Sequence, residues 1–204
     1  YLGSYLNYHP AEVVRSHPDR FAGLGTLPMQ APDLAIRELE RCVRDLGMAG
    51  VQIGTHVNGR NLDDPGIVAV LEAARDLGAG VLVHPWDMLG AERMGRHWLP
   101  WLVGMPSECA LAIASMILGG VFDRVPGLRV CFAHGGGAFP FILGRIEHGH
   151  AVRPDLVATM TPRKPREYLD RFWVDTGVHD DHAFRYLFEL MGPAGICLGS
   201  DQPF

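Results

Sequence analysis

The sequence has no excess of positive charge: 18 lysines and arginines stand against 23 acidic side chains, for a formal net charge of −5. A chain balanced this way has no basic footprint for a phosphate backbone or an anionic bilayer, so neither nucleic acid nor membrane is an expected partner. Long apolar runs are also missing. The longest, Ala110 to Phe122, is broken by Ser115 and two glycines and is too short to span a bilayer. No segment reads as a signal peptide. The four cysteines, Cys42, Cys109, Cys131 and Cys197, are widely spaced, lie in apolar segments and form no C-x-x-C pair. That argues against a disulfide frame or a cysteine zinc site and predicts buried free thiols in a reducing, cytoplasmic compartment. No G-x-G-x-x-G phosphate loop follows the first strand. No G-x-S-x-G nucleophile elbow occurs either, which rules out an esterase reading of the HGGG at 134–137.

What is present is an ordinary globular composition, 48% hydrophobic and 20% charged, in a chain of single-domain length. Residues 1–20 are irregular in pattern, with a helix at most over 10–16 and with His9 and His17 facing solvent. A strand within 21–28 precedes a helix that opens at Pro32 and sets Ile36, Leu39, Val43 and Leu46 on one face as far as Gly47. A strand at 50–54, a loop with His56, Asn58 and Asn61, and a helix from Asp64-Pro65 with Ile67, Leu71, Ala74 and Leu77 inward come next. Gly78 ends that helix and a strand at 80–84 follows. RDLGMAGV at 44–51 and RDLGAGV at 75–81 echo one another as repeated β/α units. Later strands read at 129–134, 172–177 and 196–201, separated by helices over 107–119, 139–150 and 182–191. Six such units in one domain, residues 1–204, predict an α/β fold: an incomplete TIM-type (β/α)₈ barrel lacking its first strands and last helix. A doubly wound sheet is the alternative.

In such a barrel the reactive groups sit at the C-terminal ends of the strands. The segment RVCFAHGGGAFPFILGR at 129–145 has this form, an apolar strand ending on His134 and three glycines. The strand ends together are His84, His134, Asp175 and Asp201, with Gln52 and His56 after the second strand. Two imidazoles and a carboxylate at one mouth suit a divalent metal of the zinc type. Taken singly, each is equally at home as a hydrogen-bonded core residue. His148 and His150, two apart on a helix, point to different sides and are expected to be exposed. Asp181, within HDDH at 179–182, reads as a helix cap. Trp98 and Trp101, in a long loop after His84, read as loop packing or as a lid over a planar substrate.

VLVHPWDM at 81–88, WLPWLVGMP at 98–106, VCFAHGGGAFPF at 130–141 and LGSDQPF at 198–204 together resemble the 2-amino-3-carboxymuconate-6-semialdehyde decarboxylase family, within the amidohydrolase superfamily. GLGTLPMQAP at 23–32 and GVQIGTH at 50–56 fit the same family, so the resemblance runs from about residue 18 to the end. It implies one Zn²⁺ per subunit, held by an H-x-H pair on the first strand, a His after the fifth and an Asp after the eighth. If the six strands here are the third to the eighth, His84 and Asp201 are ligands and His134 is the general base. Arg145 would bind a substrate carboxylate in the neighbouring subunit of a homodimer, and Trp101, Met88 and Phe204 would line the substrate pocket. The implied reaction is non-oxidative decarboxylation to 2-aminomuconate semialdehyde in tryptophan catabolism, the kynurenine route, away from quinolinate and NAD synthesis. No lysine lies near the fourth-strand end, where dinuclear relatives carry a bridging one, which favours a single metal. Two departures stand out. The H-x-H pair and an early substrate-binding arginine are not in this sequence, and Gln202 replaces a tyrosine. The chain by itself is therefore expected to hold zinc weakly or not at all and to show no decarboxylase activity, and a hydrolase of the same superfamily or a non-catalytic chain are the alternatives.

Overall fold

The computed structural model describes residues 2–201, so Gln202 and the pocket residue Phe204 lie outside the described residues. In chain order come α1 (Leu2–Leu6), α2 (Tyr8–Ser16), β1 (Leu24–Thr26), α3 (Pro32–Arg44) and β2 (Gly50–Ile53). A hairpin of β3 (His56–Val57) and β4 (Arg60–Asn61) follows, then α4 (Pro65–Asp76) and β5 (Gly80–Val83). A π-helical turn, Pro100–Gly104, runs into α5 (Met105–Leu118), followed by α6 (Val121–Arg124) and β6 (Arg129–Phe132). The chain continues with α7 (Phe139–Val152), α8 (Pro154–Val157), β7 (Trp173–Asp175), α9 (Asp181–Met191) and β8 (Ile196–Cys197).

Six of these strands form one sheet in the order β1-β2-β5-β6-β7-β8, every adjacent pair parallel. An order that never reverses is singly wound, and right-handed crossovers then lay all the covering helices on one side, as in a barrel wall. A doubly wound sheet would reverse at a switch point, so that alternative falls. Residues alternate accordingly. Val51, Ile53, Val81, Val83, Val130, Phe132 and Val174 are buried against the helices, while Gln52, Leu82, Cys131 and Cys197 face a groove of about 930 Å³ on the other side. Cys197 is thus exposed and Cys131 half-buried, against the expectation of four buried thiols; Cys42 and Cys109 are buried. They differ because the first two point to the groove face and the last two lie on the inward faces of α3 and α5.

Local chemistry explains the helix starts. Asp64 caps α4 by accepting from Gly66 N at 2.9 Å, with Pro65 in the first turn, and Gly47 and Gly78 adopt the left-handed conformation that ends a helix. The inward face of α3 is Ala35, Glu38, Leu39 and Cys42, with Ile36 and Val43 only partly buried at its margin. Asp180, not Asp181, caps α9 through Ala183 N. His148 is exposed as expected, but His150 is half-buried. Pro100–Leu118 is long and apolar enough to cross a membrane by length and composition, but 56% of it is buried and it packs as a core helix. Its early start takes Trp101 out of the expected loop and stacks it on Trp98, ring centroids 5.9 Å apart.

The first twenty residues are more ordered than their pattern suggests. Between α1 and α2, the Asn7 amide donates to Thr26 O (2.9 Å) and its oxygen accepts from Thr26 N (2.8 Å), so one side chain occupies the edge of β1 that β2 does not use. The same amide nitrogen donates to Glu38 Oε1 at 2.7 Å. Burial by itself would raise the Glu38 carboxyl, but hydrogen bonds from Arg41, Asn7 and Ser4 outweigh it and hold the pKa at about 2, down from 4.5. A depressed carboxyl stabilises the fold above its unfolded pKa and loses that contribution as pH falls through the folded value. Resistance to urea should therefore decline between pH 4.5 and 2. Glu38→Gln should flatten that decline; an unchanged slope would show that Glu38 does not link the N-terminal helices to the sheet.

Candidate active site

Parallel strands end together, and β5, β6 and β8 deliver ionisable side chains to the same rim. His84 follows β5 directly, its amide still in the ladder through Ile53 O at 3.0 Å. His134 follows β6 by one residue, after Ala133 has donated to Val83 O at 3.0 Å. Asp201 lies four residues past Cys197 at the end of β8. The structure brings the three together: one ligand atom from each lies within 4.8 Å of the others, and all three residues are half-buried. The His84 and His134 rings are 5.0 Å apart at 64°.

Both rings turn Nε2 toward the cluster. His84 Nδ1 donates to the Pro85 carbonyl at 3.1 Å, and its Nε2 lies 3.4 Å from Asp201 Oδ1. His134 Nε2 is buried with no hydrogen-bond partner among the described residues. Burial, and next the neighbouring His84, push the His134 pKa below its ordinary value, against the opposing pull of Asp201 and Asp175. At neutral pH His134 is therefore an uncharged acceptor. A set of two imidazole nitrogens and one carboxylate, closely spaced and partly dehydrated, fits a divalent metal of the zinc or manganese type.

The loop after β6 explains how His134 is aimed. His134 has φ +56°, followed by Gly135, Gly136 and Gly137 at +60°, +74° and +62°. A Cβ on Gly135 would strike Val178, and one on Gly137 would strike the Pro106 carbonyl at the start of α5. Asp175, which the sequence offered as another candidate ligand, is committed elsewhere. Its Oδ1 accepts from Gly135 N (2.8 Å) and Gly177 N (2.9 Å), so it clamps the His134 loop. Thr176 performs the same service for Asp201 by donating to Gly199 O (3.0 Å) and accepting from Gly199 N (3.1 Å). Sequence reasoning missed Thr176; its signal was the Asp-Thr-Gly at 175–177, a short polar run at a strand end. Burial raises the Cys109 thiol to about 12, which removes it as a nucleophile.

The other expected site residues are further out. A hollow of about 620 Å³ beside His84 is lined by Gln30, Gln52, His56, Asn58, Trp86 and Asp87. Met88 is buried against Gly104, and neither it nor Trp101 is among the residues lining this hollow or the groove. Arg145 is exposed on α7, forms no ion pair among the described residues, and follows Phe141, which is 88% exposed, by one helical turn.

The amidohydrolase family profile matches residues 5–204. A 2-amino-3-carboxymuconate-6-semialdehyde decarboxylase from Dictyostelium discoideum is 57% identical over all of this chain, which spans 56% of that relative's length. The 5-carboxyvanillate decarboxylase LigW from Sphingomonas paucimobilis superposes with a TM-score of 0.88 at 34% identity, over 98% of this chain and 63% of its own. A dihydroxybenzoic acid decarboxylase from Polaromonas, solved with manganese and the inhibitor 2-nitroresorcinol, gives 0.86 at 27% identity over 98% and 64%. The relatives are thus decarboxylases, and one of them carries a metal.

If Asp201 is a ligand and His134 is not, metal analysis of full-length protein separates the two. Asp201→Ala should lose most bound metal, whereas His134→Ala should retain it and lose turnover. Equal loss of metal in both variants would make His134 a ligand.

Proposed function

The chain belongs to the amidohydrolase family, and from that premise we propose that it carries the site of a metal-dependent, non-oxidative decarboxylase acting on 2-amino-3-carboxymuconate-6-semialdehyde. The observation that carries this reading is the convergence of His84, His134 and Asp201 at one rim of the sheet. The 57% identity to the Dictyostelium decarboxylase narrows the substrate.

His84 and Asp201 would hold a single Zn²⁺, an ion that supplies positive charge to acidify a water and to stabilise charge developing on the substrate. Everything else is done by the chain's own groups. His134, neutral and held by the clamped glycine loop, takes a proton at Nε2 from water and passes it to the substrate carbon. There the bond to the carboxylate breaks, CO₂ leaves, the electron pair left on carbon takes the proton, and the hydroxide left from the water regains a proton from solvent. The product is 2-aminomuconate semialdehyde, which places the reaction in the kynurenine route of tryptophan catabolism; the free thiols suit a cytoplasmic enzyme. Arg145 and Phe141 lie exposed together on α7. In a homodimer Arg145 reaches the neighbouring site and clamps a substrate carboxylate with two parallel hydrogen bonds, a geometry lysine does not reproduce.

A full-length protein that carries the H-x-H pair, incubated with 2-amino-3-carboxymuconate-6-semialdehyde, should release one CO₂ per substrate without an oxidant; product formation without CO₂ would instead indicate a hydrolase. Because the His134 pKa is lowered and the neutral ring is the active form, the acidic limb of kcat/KM should fall below pH 6.5. A limb above that pH would contradict His134 as base. Arg145→Ala should lower kcat/KM by roughly 10- to 150-fold with metal retained. Mixed with His134→Ala subunits it should regain activity, since each heterodimer then contains one intact site. Heterodimers as inactive as their parents would remove Arg145 from the site.

A further inference from the structure

One buried carboxylate close to the site has no part in the chemistry above. Glu108, in the first turn of α5, is 3% exposed. Its Oε1 accepts from Leu89 N at 2.7 Å and its Oε2 from Thr55 Oγ1 at 3.0 Å, and Thr55 is itself 2% exposed. Thr55 lies just past the end of β2 and Leu89 five residues past His84, so this one side chain joins two of the loops that rise around the His84, His134 and Asp201 cluster. The loop after His84 is held from its other flank as well. His56 Nδ1 accepts from Gly59 N at 3.3 Å, which assigns the ring proton to Nε2, and Nε2 donates to Asp87 O at 2.9 Å. Asp87 has φ +62°, a conformation that persists only where its surroundings enforce it. Between these two anchors lies buried Met88, packed where a Cβ on Gly104 would come within 2.6 Å of its Cβ, and Trp86 lines the hollow beside His84.

Dehydrating a carboxylate to hold one amide and one hydroxyl costs stability that an apolar residue at the same place would keep. What the carboxylate provides is direction: two acceptors a fixed distance apart set Leu89 relative to Thr55. We propose that Glu108 is a positioning residue that, by holding Leu89, fixes the loop whose Trp86 and Asp87 line the hollow beside His84, and so governs substrate affinity and not metal binding or proton transfer. This inference rests on the decarboxylase reading of the site.

The test uses the native protein with Glu108→Ala, Glu108→Gln and Thr55→Val. Steady-state kinetics and metal analysis are combined with hydrogen exchange of residues 85–90 measured without substrate. Glu108→Ala should raise KM by about 10-fold or more, with kcat and metal content close to wild type and faster exchange confined to 85–90. Glu108→Gln should recover most of that KM, because its carbonyl still accepts from Leu89 N and its amide donates to Thr55. If Glu108→Ala does not fold, Glu108→Gln and Thr55→Val carry the test, with Thr55→Val expected to raise KM and to quicken the same exchange. A fall in kcat at constant KM, a glutamine as impaired as the alanine, or unchanged exchange at 85–90 would overturn the proposal. A wild-type protein that releases no CO₂ defeats the reaction reading alone, and the exchange result then decides whether Glu108 holds this loop.

Discussion

Four consecutive residues with positive φ, His134 to Gly137, are the constraint on which the site depends. Three of them are glycines and bear it without strain; His134 is not, and a non-glycine residue there costs about 1–3 kcal/mol. The conformation persists because it is held from several sides. Asp175 accepts from Gly135 N, Ala138 N donates to Pro106 O at 2.9 Å, and Gly136 N donates to Ala133 O at 3.1 Å. On either side of the loop in sequence, Phe132 and Phe139 pack on Phe172, which also meets Phe122, at centroid distances of 5.5, 6.0 and 5.7 Å, so both ends of the loop are anchored in one aromatic cluster. The outcome is an imidazole turned back toward His84 with a buried nitrogen that has no hydrogen-bond partner among the described residues.

The same logic recurs around the rim: each loop that presents a reactive group is braced by the loop of a neighbouring element. Asp175 and Thr176, at the end of β7, hold the His134 loop on one side and the Asp201 loop on the other. The first turn of α5 meets the His134 loop through Pro106 and the His84 loop through Glu108. This bracing is possible because the sheet is singly wound and parallel, which brings β5, β6, β7 and β8 side by side with their C-terminal ends together.

Much of this was legible in the residues. Pro32 and Asp64-Pro65 open helices where expected, Gly47 and Gly78 close them, and the apolar runs ending on His84 and His134 are the strands that carry those side chains to the rim. These are local signals, set by propensity, capping and period. What was not legible depends on contacts distant in sequence. The helices before residue 17 lack clean periodicity and are held by Asn7 bonding to Thr26 and Glu38, 19 and 31 residues away. Glu108 reads as one charge in an apolar helix until Thr55, 53 residues earlier, is seen beside it. Asp175 belonged to the right rim, but only the nearby Gly135 and Gly177 amides reveal it as a clamp. The roles of Trp101 and Met88 came from family resemblance, and their packing against Trp98 and Gly104 follows from a π-helical turn that no period in the sequence announces.

The central claim is that His84 and Asp201 bind a catalytic metal while His134 stands beside it as a base. Anomalous diffraction from crystals of the native protein grown with Zn²⁺ tests this most directly. The account predicts one strong peak about 2.0–2.2 Å from His84 Nε2 and from an Asp201 carboxylate oxygen, with His134 Nε2 near it but beyond bonding distance. A peak bonded to His134, or one absent from this rim, would contradict it.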